Sequence, residues 1–311
     1  MPSAEVSFPS GPGECRGALY RPADAGDEPL GVVVMAHGLS GTRLTQYDRR
    51  ARRLVDAGVA VLDFDPRCVG TSPGEPRQRI HPFDWLADLR AAVAHVRTRD
   101  DVDADRIGLY GSSLGGALAF AVAAEDQGIR AAALDVPALD GLRATPSPLR
   151  ARPALVAAVV RDVIGRRRGR EPLRIPVFGE PGSGAVVQHD VDGFWRAMDE
   201  LEGIEWVEPR KVARHPETGE WRNEATATEL LHSLRLRPAT AVKSIRCPVL
   251  AHVSEDDGVV PHRPTRRVLQ RVPGIDLRTL RGGHFAPFHG EGFETTVTAQ
   301  VEFFARTLRA A

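Results

Sequence analysis

Ser113 stands in Gly111-Ser112-Ser113-Leu114-Gly115, a G-x-S-x-G run. It follows the apolar stretch Ile107-Gly108-Leu109-Tyr110 and opens Leu114-Gly115-Gly116-Ala117-Leu118, which has the composition of a buried helix start. A strand-to-helix turn this sharp strains the central residue and admits only small neighbours two positions away, a condition that Gly111 and Gly115 meet. Ser112 lacks glycines at those offsets. A serine hydroxyl held out at a helix N-terminus, where backbone N–H groups and the positive dipole end converge, is suited to attack on an acyl carbon.

Such a nucleophile needs a base, an acid to orient the base, and donors for the developing oxyanion. Where a G-x-S-x-G elbow carries the nucleophile, the acid and then the histidine follow it along the chain. His284, in Gly282-Gly283-His284-Phe285 after the strand-like Leu277–Leu280, has that order. His289 is the fallback, and His262, His252, His215 and His189 are less suitably placed. The acid is expected in Ser254-Glu255-Asp256-Asp257-Gly258, after the apolar Pro248–Val253. Asp257 is the favoured candidate, Asp256 its close rival and Asp135 an outside one, while Glu255 fits a solvated turn. One oxyanion donor is expected from the N–H of Leu114. The other is expected from Leu39 in the earlier loop His37-Gly38-Leu39-Ser40-Gly41, where glycines let the backbone approach a substrate oxygen. His37 fits a structural hydrogen-bonding group of that loop better than a base.

The elements that must position these residues follow from the pattern. A β-hairpin ends near Tyr20, and short apolar runs at Gly31–Ala36, Val59–Phe64, Arg106–Tyr110 and Ala131–Val136 suit strands buried on both faces of a parallel sheet. Helical stretches at about Arg43–Ala57, Pro82–Arg99 and Leu114–Glu125 separate them. The alternation breaks after about Leu139. It resumes with Pro248–Val253, Pro264–Arg271, Ile275–Leu280 and a closing helix from about Phe293 to Leu308. Strands alternating with helices predict an α/β fold with a mostly parallel central sheet covered on both faces. Residues 1–138 and 242–311 form the expected core, with 139–241 inserted as a cap. Within the insertion, Phe194, Trp195, Trp206 and Trp221 fit either an apolar pocket or the cap's own core. Arg166-Arg167-Arg168 with Arg170 fits a solvated helix end better than an anion site.

Composition excludes other classes. Basic and acidic residues balance at 41 each, which argues against nucleic acid or an anionic membrane as the partner. Three widely spaced cysteines, Cys15, Cys68 and Cys247, make neither a zinc site nor a disulfide framework. No basic segment followed by an apolar one opens the chain, and no apolar run reaches the roughly 20 residues of a membrane span. A cytoplasmic, soluble protein is expected.

Taken in order, His37-Gly38, the Ser113 elbow, Asp257–Pro261 and Gly282–Phe285 resemble the α/β-hydrolase superfamily over nearly the whole chain outside the cap. Asp65–Gln78 and Trp221–Glu224 are similar to segments of bacterial dipeptidyl-peptidase-like and dienelactone-hydrolase-like esterases. Cys68 departs from the glycine or histidine usual at that place in the loop. The resemblance implies the α/β-hydrolase fold with an inserted cap. It also implies a Ser113–His284–Asp257 triad that cleaves an ester, lactone or thioester of a small-molecule acyl substrate through an acyl-enzyme. No metal or organic cofactor is called for. Acyl transfer or carbon–carbon bond hydrolysis would use the same triad, and a binding protein without turnover would use the same scaffold.

Overall fold

The computed structural model describes residues 2–26, 28–45, 47–141 and 152–309. The chain begins with an antiparallel hairpin, β1 (Ser3–Ser10) and β2 (Gly13–Tyr20); β1 alternates exposed and buried side chains from Glu5 on because one face is solvated, whereas β2 is buried throughout from Gly17 to Tyr20. The apolar runs then become central strands buried on both faces: β3 (Leu30–Ala36), β4 (Ala60–Asp65), β5 (Val102–Ser112) and β6 (Ile129–Asp135). Between them lie helices α1 (Tyr47–Asp56), α2 (Pro82–Arg97) and α3 (Leu114–Glu125).

After β6 come α4 (Pro153–Arg167), β7 (Arg174–Ile175), α5 (Val191–Asp199), β8 (Glu205–Glu208), β9 (Val212–His215), β10 (Gly219–Arg222) and β11 (Ala225–Thr226). Two 3-10 segments, Glu229–Arg235 and Pro238–Ser244, lead back to β12 (Val249–Ser254), α6 (His262–Leu269), β13 (Asp276–Leu280) and the closing α7 (Gly290–Leu308).

The main sheet has eight strands in the order β1-β2-β4-β3-β5-β6-β12-β13. Its pairs from β4 to β13 are parallel, and β2 meets β4 antiparallel. This is the mostly parallel α/β sheet that the alternating pattern predicts and the α/β-hydrolase fold that the resemblance implies. One face of the sheet packs on α2 and α3 through residues such as Trp85, Leu89, Leu118 and Phe120. The other packs on α1 and α7 through Leu54, Val55, Phe303 and Phe304. Helix α3 is apolar all round and correspondingly buried from Leu114 to Ala124, the expected state of a helix without a polar face.

Element boundaries differ from the sequence reading where polar side chains intervene. Helix α1 starts at Tyr47 rather than near Arg43, because the Thr45 hydroxyl closes a local turn with the Thr42 N–H and C=O. Strand β5 starts at Val102, several residues before Arg106. Its early polar residues face outward while Val102 pairs with Leu30. Helix α7 begins at Gly290, earlier than Phe293.

Between β6 and β12, β8, β9 and β10 form a three-stranded antiparallel sheet, and β11 pairs with β7. The buried Asp162 carboxylate of α4 accepts the N–H of Leu173 and both the N–H and hydroxyl of Thr228, which ties that helix to the strands beside it. Arg166 adds ion pairs to Asp162 and Glu229 at the helix end, whereas Arg167, Arg168 and Arg170 are exposed. No described helix is long and apolar enough to cross a membrane.

Candidate active site

Ser113 joins β5 to α3 with φ 51° and ψ −116°, a conformation that costs a non-glycine residue about 1–3 kcal/mol. The neighbouring glycines make it possible. A Cβ on Gly111 would lie 2.3 Å from the Gly115 carbonyl oxygen, and one on Gly115 would lie 2.0 Å from the Ala36 oxygen. The Ser113 N–H donates to the Asp135 carbonyl at 2.9 Å, and its own carbonyl accepts from Ala117 and Ala138. The turn is therefore fixed by backbone bonds alone, leaving the hydroxyl unencumbered by its own loop.

Across the sheet edge, His284 Nε2 lies 3.0 Å from Ser113 Oγ and His284 Nδ1 lies 2.8 Å from Asp257 Oδ2. The His284 and Asp257 side chains are only 3% and 2% exposed, so their contact is shielded from solvent. Asp257 Oδ1 accepts the N–H groups of Val259 and Val260 at 2.9 and 2.6 Å, which fixes the carboxylate and leaves Oδ2 for the imidazole. Of the three acids weighed from sequence, Asp256 is exposed, and Asp135 is engaged elsewhere, with His252 Nδ1 at 2.8 Å. His37 Nε2 lies 2.8 Å from Asp63 Oδ1, both side chains buried. A hydroxyl, an imidazole and a carboxylate in this order can move the serine proton onto Nε2 as the oxygen attacks.

Leu39 and Leu114 both border the space above Ser113. The loop carrying Leu39 approaches the elbow so closely that a Cβ on Gly38 would lie 3.6 Å from the Ser113 Cβ.

Two residues of the 139–241 segment, neither given this role in the sequence reading, hold these loops in place. Trp221, on β10 and 1% exposed, donates its indole N–H to the Ser40 carbonyl at 2.9 Å. Asp190, just before α5, accepts the Phe285 N–H at 3.0 Å and so grips the residue after His284. Trp221 shows in the sequence as one of several aromatics and as the start of the Trp221–Glu224 segment, and neither signal points to this bond. Asp190 carries no signal, since its partner is 95 positions away.

Two spaces open at Ser113. The larger, 650 Å³, is walled mainly by apolar residues of α4 and of the 3-10 segment from Glu229. The smaller, 80 Å³, is walled by Phe178, Phe194, Phe285 and Phe288 together with His284. Phe194 is thus a wall, while Trp195, Trp206 and Trp221 pack in the aromatic cluster behind it. All three cysteines are free and buried, and burial pushes the Cys247 thiol up to about 11, which leaves it unreactive at neutral pH. Away from both spaces, His81, Glu229 and His232 bring one donor atom each within 4.8 Å of the others, the only such group among the described residues. The Arg166 guanidinium already occupies Glu229 Oε1 at 2.7 Å.

A family model described as serine aminopeptidase, S33, matches residues 27–283. The chain is 32% identical to the quorum-quenching protein AidA of Acinetobacter baumannii over 97% of this chain and 94% of that one. It is 27% identical to the thiohydrolase aneE of Aspergillus aculeatus over 96% and 92% of the two. The crystal structure of the α/β hydrolase GrgF from a Penicillium species superposes with a TM-score of 0.78 over 99% of both chains at 23% identity, a likeness of fold.

Proposed function

The chain belongs to the serine aminopeptidase S33 family of α/β hydrolases, and from that premise we propose that it is a serine hydrolase cleaving an ester-type acyl bond through an acyl-enzyme on Ser113. The observation that carries this is the Asp257–His284–Ser113 hydrogen-bond chain, at 2.8 and 3.0 Å, opening onto an apolar chamber. His284 takes the Ser113 proton as Oγ attacks the acyl carbon, and the Asp257 carboxylate stabilises the imidazolium. The N–H groups of Leu39 and Leu114 receive the oxyanion, each such donor contributing about 3–4 kcal/mol to the transition state. His284 then protonates the expelled group, and water repeats the cycle to free the acid. The 139–241 segment acts as the cap.

Ester-type substrates fit better than peptides despite the family's name. An aminopeptidase must meet a free α-ammonium, and no Asp or Glu is among the described residues lining either space at Ser113. The quorum-quenching and thiohydrolase names of the relatives agree with an ester-type substrate. The test is labelling with a fluorophosphonate mapped by mass spectrometry, beside hydrolysis of short-chain p-nitrophenyl esters. Label on Ser113 and turnover by the wild type are expected. A folded enzyme with neither would point instead to a binding protein on a hydrolase scaffold.

A further inference from the structure

Resting on the hydrolase reading above, we propose that the two chambers divide the substrate unequally: the acyl group takes the large chamber, and the expelled group, a few heavy atoms in size, takes the small one. The chambers meet at Ser113, with Leu39, Val187 and Val259 bordering both. What tells them apart is His284, which lines the small chamber and is not among the residues lining the large one. The atom expelled from the tetrahedral intermediate must accept its proton from His284 Nε2, so it departs on the histidine's side. The C–O or C–S bond to that atom breaks, its electron pair stays with it, and the imidazolium proton joins it. Water enters the same space, loses a proton to the imidazole and releases the acid. The acyl group has only the other direction to take.

The sizes then set the substrate class. At 650 Å³ the large chamber lies in the range of sites that enclose whole small molecules. Its walls include Leu155, Val156 and Val159 of α4 and Leu231, Leu234 and Leu236 opposite. Of its polar side chains, His189 is exposed at its border, and two others already hold backbone groups. Arg152 Nη2 donates to the carbonyls of Ala185 and Val186, and Gln188 bonds the Ala185 carbonyl and the Gly182 N–H. An extended, largely apolar acyl group matches such walls. The small chamber holds 80 Å³, room for a few water-sized groups. It cannot readily widen, because Phe178 and Phe194 stack at 3.8 Å between ring centroids and both meet Phe285 edge-on at 5.9 and 5.4 Å. The substrate is thus a bulky apolar acyl group on a short alkoxide or thiolate, including the ring-opened arm of a small lactone.

A pair of isomeric esters tests the division, since ethyl decanoate and decyl acetate carry the same atoms on opposite sides of the reacting carbon. Ethyl decanoate is expected to have the higher kcat/KM by about tenfold or more, the usual discrimination of a hydrophobic pocket for extra methylenes. Val156→Phe, at a half-exposed position that tolerates bulk, narrows the large chamber and should lower the ethyl decanoate value by about tenfold. Phe194→Leu widens the small chamber and should raise the decyl acetate value. Preference for decyl acetate, or loss of decyl acetate turnover in Val156→Phe, overturns the division. Failure to cleave either ester while fluorophosphonate still labels Ser113 also overturns it and leaves the hydrolase reading standing. Absence of the label overturns the hydrolase reading itself.

Discussion

Of the three buried His–Asp pairs among the described residues, two are joined through the imidazole Nδ1, and one of these two faces the Ser113 hydroxyl while the other does not. In both, imidazole Nδ1 lies 2.8 Å from a carboxylate oxygen, and in both the side chains are almost wholly buried. His252 and Asp135 sit within the sheet, as register partners on β12 and β6. His284 and Asp257 sit on the loops that follow β13 and β12. The placement decides what the second ring nitrogen meets. His284 Nε2 meets the Ser113 hydroxyl, while His252 Nε2 has no hydrogen-bond partner among the described residues. Asp135 is the centre of a structural network: it accepts the Tyr110 hydroxyl at 2.9 Å and the Gln300 amide at 2.9 Å, with Arg50 at 3.5 Å. A strand holds such a pair in the core, whereas a loop at the sheet's edge can turn it toward a substrate.

The sharpest way to break this comparison is Ser113→Ala. It should lower kcat by about a millionfold with the fold intact by circular dichroism, leaving the loop-borne pair as idle as the strand-borne one. Residual turnover near the wild-type rate would show that another group carries the chemistry. Next, Asp257→Asn should lower kcat by about ten-thousandfold by disturbing the His284 tautomer, with little change in melting temperature.

The mirror experiment is Asp135→Asn. It strands Arg50 and should destabilise the protein by about 3–5 kcal/mol, while the folded fraction keeps its turnover. Denaturant unfolding beside a kinetic assay separates the two effects. Should Asp135→Asn cost activity and spare stability, the two pairs would have exchanged roles.

The strand-borne pair also predicts a pH dependence. Burial works against the ionised form of Asp135, but the hydrogen bond from His252, the Arg50 charge and the Gln300 amide outweigh it and hold the carboxyl below its ordinary value of 3.8. A depressed carboxylate adds stability that is complete above the unfolded value and lost as pH falls through the folded one. The wild type should therefore lose stability below about pH 4 more steeply than Asp135→Asn, measured by melting temperature against pH.

The smallest effect concerns the struts from the inserted segment. Trp221→Phe keeps an aromatic ring but loses the indole N–H and its hydrogen bond to Ser40. It should lower kcat by about fivefold with KM unchanged, the outcome that follows from the proposed role of the Leu39 N–H as a donor to the transition state. A change confined to KM would mean that Trp221 shapes the chamber instead of positioning the loop.

Much of the core and one part of the site could be read from the chain because the determinants are local. A nucleophile elbow needs small residues at fixed offsets from Ser113, and parallel strands buried on both faces need unbroken apolar runs such as Val32–Ala36, so each leaves a short pattern. Order along the chain favoured His284 over His289 as the base and Asp257 over Asp256 and Asp135 as the acid, and order goes no further. That Asp257 turns inward and Asp256 outward depends on the N–H groups of Val259 and Val260 capturing one carboxylate oxygen. The struts Asp190 and Trp221 act on partners 95 and 181 positions away, and the unequal chambers arise from side chains scattered between Gly38 and Phe288. The sequence by itself thus determined where the strained serine lies and which sheet presents it, because those follow from sterics within a few residues. Only the tertiary structure decided which carboxylate faces His284, what braces its loop and how much room lies on each side of Ser113, because those depend on contacts between segments far apart in the chain.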